Sequence, residues 1–233
     1  MRMMAGNGTA ERVADRTTEQ TPADDVSAPL MSVVVPTCGR PKLARRCLLA
    51  LLRQGLVPES FEIIVVDDGH GQVTRQLVAE LAHDGQPRLR YLCQQPCRGP
   101  AAARNAGWRC ARGPIIAFTE EDTVPEPDWL LEGWRALAEH PDWVAVAGRV
   151  VVPAQRRGQL PAAREWLSRG AEHADFATAN AFVRRGVLMR VNGSEDRFRR
   201  TGHEDADLEF RLLALAGPVG RAPLATVLHP MQS

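Results

Sequence analysis

Four short apolar runs punctuate the first half of the chain, with amphipathic stretches between them. Ser32-Val33-Val34-Val35-Pro36, Phe61-Glu62-Ile63-Ile64-Val65-Val66, Leu89-Arg90-Tyr91-Leu92 and Ile115-Ile116-Ala117-Phe118 are rich in β-branched and aromatic residues. Short near-continuous runs of this kind mark strands covered on both faces. Lys42 to Arg53 sets leucines at 43, 48, 49, 51 and 52 among arginines, which predicts an amphipathic helix. A second helix is expected from Val73 to Ala82, and Gly99-Pro100 opens an alanine-rich third, Ala101 to Ala111. Strand and helix alternate with short connections. That alternation implies a parallel sheet with right-handed crossovers.

The second half follows a different pattern. Trp129 to Glu139 reads as a helix, and Trp143–Gly148 and Val150–Val152 read as strands. Gln155 to Glu172 is irregular, rich in Arg and Gly, with room for one short helix. A strand is expected over Ala174–Val183, a short helix over Arg184–Val191, a helix from Thr201 to about Ala216, and a last strand over Val219–His229. The fold class is therefore α/β. One domain is expected over 31–233, a mostly parallel central sheet with helices on both faces and antiparallel additions in the C-terminal half. Residues 1–30 are polar and charged without a hydrophobic period and are expected to be a disordered leader.

Charge and composition narrow the function classes. The chain has 233 residues, with 29 Lys plus Arg against 28 Asp plus Glu. That balance argues against an electrostatic nucleic-acid binder, which carries a basic excess or stripe. The five cysteines, Cys38, Cys47, Cys93, Cys97 and Cys110, lie in or beside apolar segments and read as reduced thiols. Cys93 and Cys97 lack a second Cys/His pair at zinc spacing. No apolar run approaches the ~18 residues of a membrane span, and no signal-peptide core opens the chain. A cytoplasmic location is expected, with peripheral contact at the inner membrane face left open.

The candidate chemistry lies just past two of the strands. Glu120-Glu121-Asp122 follows the fourth strand, and Asp67-Asp68-Gly69 follows the second. In open α/β sheets ligands bind at the carboxyl ends of strands, and hard cations take carboxylate oxygens and substrate phosphates. A metal–diphosphate site is one reading of these loops; a solvated acidic turn before a helix is the other.

Taken together, the motifs resemble family 2 glycosyltransferases of the GT-A fold over roughly residues 31–230. Val33-Val34-Val35-Pro36-Thr37 is similar to the family's opening strand. Val65-Val66-Asp67-Asp68-Gly69 is similar to its second-strand motif, and Arg98 to Gly107 to its third helix. Phe118 to Pro125 aligns with the segment holding its metal-binding Asp-x-Asp. Val191-Asn192-Gly193-Ser194-Glu195-Asp196-Arg197-Phe198 resembles its acceptor-side loop, and His203-Glu204-Asp205-Ala206-Asp207-Leu208 its catalytic-base motif. Two positions depart from the pattern. Glutamates stand at 120 and 121 where the family usually has aspartates, and Ser194 stands where it often has phenylalanine.

The resemblance implies an inverting transfer from a nucleotide-diphospho-sugar to a hydroxyl acceptor, assisted by Mg²⁺ or Mn²⁺. Residues 31–125 would form the nucleotide-binding half and 126–233 the acceptor-binding half. Asp122 with one of Glu120 or Glu121 would hold the cation; Glu120, Asp122 and His229 form the expected metal set. Pro36, Thr37, Arg40, Asp67, Asp68, Arg104 and Glu121 are expected on the nucleotide side, Arg104 facing the base or the diphosphate. Asp205 would be the general base, beside Glu204. The Thr201-x-x-Glu204 spacing also fits a capping box, which accounts for Glu204 without chemistry. His203 reads as solvated, and Trp166 as a residue near the acceptor. The acceptor is left open among a glycan, a lipid-linked glycan and a small molecule. Two other classes compete. A sugar-1-phosphate nucleotidyltransferase needs a glycine-rich loop after the first strand, where only Gly39 stands. A catalytically inactive nucleotide-sugar scaffold draws on the Glu120 and Glu121 substitutions.

Overall fold

The computed structural model describes residues 28–69, 71–153, 176–197 and 204–229. The first half runs β1 (Met31–Thr37), α1 (Pro41–Leu51), β2 (Phe61–Asp67), α2 (Gln72–Leu81), β3 (Arg88–Cys93), α3 (Pro100–Arg109) and β4 (Ile115–Thr119). The second half adds β5 (Val124–Pro125), α4 (Trp129–Glu139), β6 (Ala145–Val151), β7 (Asn180–Arg184), α5 (Arg185–Val191), α6 (Glu204–Leu215) and β8 (Val219–Leu228). Together the described residues form an eight-stranded sheet in the order β3-β2-β1-β4-β7-β6-β8-β5.

The continuous apolar runs follow from burial on both faces. β1 and β2 are buried at every position. Val33, Val35, Ile63 and Val65 face one core, under α1, α2 and α4. Val34, Ile64 and Val66 face the other, under α3, α5 and α6. Alternation of side chains across a pleat makes this split unavoidable. The alanine-rich pattern of α3 also has a packing reason. A Cβ at Gly107 would sit 2.4 Å from Val34 Cγ1, so only glycine lets the helix lie this close to β1.

β1 pairs in parallel with β2 and β4, and β2 with β3, as the alternation predicted. β7 then enters antiparallel between β4 and β6. The second half also departs from expectation in detail. The two runs 143–148 and 150–152 are one strand, β6, which pairs in parallel with β8 and shifts register between Gly148 and Arg149. The strand expected from 174 begins at Asn180, and Phe176–Ala179 approaches it without strand structure. Val124–Pro125, between the acidic turn and the next helix, is a two-residue strand on β8. Two residues are too few to show a period. The predicted features of 1–27 and of 154–175, including Trp166, lie outside the described residues, as do Thr201 and His203.

Asn180 holds the irregular seam together. Its side chain donates to the carbonyls of Arg149 (2.9 Å) and Ala225 (2.8 Å), on either side of the register shift, and accepts from Trp129 Nε1 at 2.8 Å. A buried amide this well satisfied makes the bulge a defined feature.

Candidate active site

β1, β2 and β4 run parallel, so their carboxyl ends open on one edge of the sheet. The turn after β4 is fixed by its own hydroxyls. Thr123 donates through its backbone N–H (3.1 Å) and Oγ1 (2.8 Å) to the Glu120 carbonyl, and its hydroxyl lies 2.7 Å from that of Thr119. This tight turn sends three consecutive carboxylates into different surroundings, with Arg40 shared by the last two. Glu120 accepts from Arg104 at 2.9 Å. Glu121 accepts from the Thr37 hydroxyl, from the Cys38 N–H at 3.4 Å and from Arg40 Nε at 2.7 Å. Asp122 accepts from Arg40 at 3.1 Å through one oxygen and faces His229 Nε2 at 3.5 Å through the other.

Glu120, Asp122 and His229 each offer a ligand atom, all within 4.8 Å of one another. Two carboxylates and one imidazole suit Mg²⁺ or Mn²⁺. The electrostatics agree with that fit. Desolvation pushes the Glu120 carboxyl up to about 7; Arg104 opposes the shift, while Asp122, Asp205 and Glu204 add to it. Crowded acids that resist full ionisation are what a cation would relieve. Burial also raises the Glu121 carboxyl, countered by Thr37 and Arg40. Glu121 is thus turned to the β1 loop and away from the Glu120–Asp122–His229 set. The three candidate ligand atoms that lie close together include one from Glu120 and none from Glu121.

At the end of β2 the two aspartates part company. Asp67 is fully buried; one oxygen accepts from Tyr91 Oη at 3.1 Å, and Oδ1 has no hydrogen-bond partner among the described residues. Asp68 is saturated. It accepts from Gln94 Nε2 (2.8 Å) and the N–H groups of Arg98 (2.8 Å) and Gly99 (2.7 Å). Its carboxylate therefore fastens the loop that leads into α3, and Asp67 is the one with capacity left. Pro36 and Thr37 end β1 beside them, Thr37 already engaged with Glu121.

Arg104 joins the two sides of the site. It is 1 % exposed and touches Glu120 at 2.9 Å and Glu204 at 3.5 Å. Burial works against its charge, but Asp205, Glu120 and Glu204 more than offset that penalty. Asp205, in the first turn of α6, points its carboxylate at Thr178, which donates from its hydroxyl (2.6 Å) and its backbone N–H (3.1 Å).

Several residues that shape the site are not among the expected site residues. Thr178 and Asn180 lie in a weakly alternating stretch. Asn105, on the third-helix motif, locks the acceptor-side loop: its Nδ2 donates to the Ser194 carbonyl (2.7 Å) and to Asp196, and its Oδ1 accepts from the Ser194 N–H at 3.0 Å. The one available signal was their polarity inside otherwise apolar segments.

A parallel sheet with helices on both faces, antiparallel strands added past β4, and carboxylates gathered at the strand ends define the GT-A class of glycosyltransferase folds. The chain matches glycosyl transferase family 2 over residues 32–192, and it belongs to that family. Validoxylamine A glucosyltransferase of Streptomyces hygroscopicus subsp. limoneus is 38% identical over 103 residues, 44% of this chain and 22% of that protein. The chain thus spans about a fifth of the length of that relative. Among solved structures, the mannosyltransferase PcManGT from Pyrobaculum calidifontis, in complex with GDP-Man and Mn²⁺, superposes with a TM-score of 0.67 at 21% identity. That match covers 91% of this chain and 60% of the other. TarS 1–349 of S. aureus in complex with UDP also gives 0.67, at 18% identity over 87% of this chain and 60% of its own.

Proposed function

We propose that the chain transfers a sugar from a nucleotide-diphosphate donor to a hydroxyl acceptor in one inverting displacement, with Asp205 as general base. One observation carries this reading. A single buried guanidinium, Arg104, contacts both Glu120 of the carboxylate–imidazole set and Glu204, the neighbour of Asp205. The carboxylate set suited to the leaving diphosphate and the neighbour of the group suited to the incoming hydroxyl thus meet at one residue.

Glu120, Asp122 and His229 are the residues that would hold a divalent cation, which when bound supplies positive charge to the departing diphosphate. Asp67 carries a buried oxygen with no hydrogen-bond partner among the described residues, an acceptor the nucleoside side could use. Arg40, on the loop after β1, and Glu121, on the turn after β4, form a salt bridge on the side from which the donor would enter. The acceptor hydroxyl gives its proton to Asp205 as its oxygen attacks C1 of the sugar, and the C1–phosphate bond breaks on the opposite face. The relatives' own ligands, GDP-Man and UDP, make guanosine and uridine donors the first to try. Acceptors of the glycan, lipid-linked and small-molecule kinds all fit the chemistry. Among the described residues no helix is long and apolar enough to cross a membrane.

The test is a thermal-shift panel of UDP, GDP, dTDP and CDP, each with and without Mn²⁺, followed by donor turnover. A nucleotide that stabilises the protein with Mn²⁺ identifies the donor base, because native-state ligands raise the melting temperature by mass action. Asp205→Asn is expected to bind that nucleotide normally and to lose about 10²-fold or more in turnover. Undiminished turnover in Asp205→Asn would overturn the assignment of the base, and binding without any wild-type turnover would favour a nucleotide-sugar scaffold.

A further inference from the structure

Thr178 lies outside every motif of the sequence, yet it is fully buried and faces the carboxylate of Asp205 with two donors. Its backbone N–H reaches Oδ2 at 3.1 Å and its hydroxyl reaches Oδ1 at 2.6 Å. A carboxylate on the first turn of a helix can otherwise rotate about two side-chain torsions. Donors on both oxygens fix its plane and leave each oxygen a further lone pair. The hydroxyl bond is in the short range of charge-assisted hydrogen bonds.

The same segment is braced from the other side. The carbonyl of Ala179 accepts from Thr119 Oγ1 at 3.1 Å; Thr119 Oγ1 lies 2.7 Å from Thr123 Oγ1, which donates to the Glu120 carbonyl at 2.8 Å. Thr119, Thr123, Thr178 and Ala179 are all buried. A path of buried hydroxyl contacts and the Thr178–Ala179 peptide therefore connects the carboxylate turn after β4 with the residue that holds Asp205. It sets the spacing between the donor side and the base.

We infer that Thr178 is a positioning residue for the transfer step, aiming the Asp205 carboxylate at the acceptor hydroxyl and holding it at a fixed distance from the Glu120–Asp122 turn. The inference rests on Asp205 being the general base. Placement of a base within hydrogen-bond reach of its proton governs the rate of the chemical step and leaves donor binding untouched. The hydroxyl of Thr178 thus contributes to kcat and not to the donor KM.

The experiment measures release of nucleoside diphosphate from the donor identified by thermal shift, with Mn²⁺ present and water as acceptor, for Thr178→Val, Thr178→Ser, Asp205→Asn and the double variant Thr178→Val/Asp205→Asn. Valine keeps the shape and the backbone donor and removes only the hydroxyl. Thr178→Val is expected to lose about tenfold or more in kcat, with the donor KM and the nucleotide-induced thermal shift unchanged. Thr178→Ser is expected to restore kcat to within about twofold, and the double variant to be no slower than Asp205→Asn, since the two residues act as one unit. Full kcat in Thr178→Val would overturn the inference, as would a further multiplicative loss in the double variant. So would a loss confined to melting temperature and to KM. Wild-type turnover in Asp205→Asn is a separate outcome: it removes the base itself, whatever Thr178→Val does.

Discussion

Single side chains at the sheet edge are specified by what surrounds them as much as by their type. Asp67 and Asp68 are adjacent and identical, yet Asp68 is held by three donors and Asp67 keeps a buried oxygen with no hydrogen-bond partner among the described residues. Glu120 and Glu121 divide in the same way, one toward His229 and Asp122, the other toward Thr37 and Arg40. Their identities as candidate ligands were legible in the chain; the division of roles was not, because it depends on which neighbour each torsion meets. Cys47 shows how far burial alone moves a group. Complete desolvation pushes its thiol up to about 12 from a usual 9.0, the nearby Thr123 hydrogen bond only partly countering it. At pH 8 almost none of it is thiolate. Iodoacetamide is therefore expected to label the exposed Cys93 and Cys97 in the native protein and to reach Cys47 only after denaturation, read by peptide mass. The sign of the linked stability follows. Above about pH 9.0 the unfolded thiol releases its proton and the folded one does not, so this group lowers stability as pH rises through that value.

At the scale of elements, α3 binds two parts of the site to one frame. Asp68 fastens the loop before it, Arg104 on its second turn reaches Glu120 and Glu204, and Asn105 clasps the loop after α5. Gly193 in that loop has φ +67°, and a Cβ there would stand 2.2 Å from Asn105 Oδ1 and 2.5 Å from Trp108 Nε1. Gly193→Ala is therefore expected to release the clasp, at a cost of about 1–3 kcal/mol. Denaturant unfolding would read that loss, and in an Asn105→Ala background the penalty should fall without vanishing, since the Trp108 contact and the positive φ remain. The helix itself was plain in the sequence, and so was the resemblance of the loop to an acceptor-side motif. The clasp between them was not, because Asn105 and Ser194 are far apart along the chain and neither has a periodic signature.

For the whole molecule, the defining event is the entry of β7 antiparallel between β4 and β6, with β8 following parallel to β6. That order delivers His229, at the end of β8, to Asp122 on the turn after β4. His229→Ala is expected to weaken the Mn²⁺-dependent part of the nucleotide thermal shift by about tenfold or more in metal affinity while leaving the metal-free melting temperature nearly unchanged; an unaltered Mn²⁺ dependence would remove His229 from the cation set. The sequence by itself determined the parallel βα half, the two-faced burial of β1 and β2, and the residue types gathered at strand ends. Each of these is written locally, in periods and in adjacent residues. The tertiary structure alone decided the strand order beyond β4, the register shift that Asn180 secures, the meeting of Arg104 with both Glu120 and Glu204, and the hold of Thr178 on Asp205. Such contacts join segments with no shared period, and only the packed chain brings their donors and acceptors within reach.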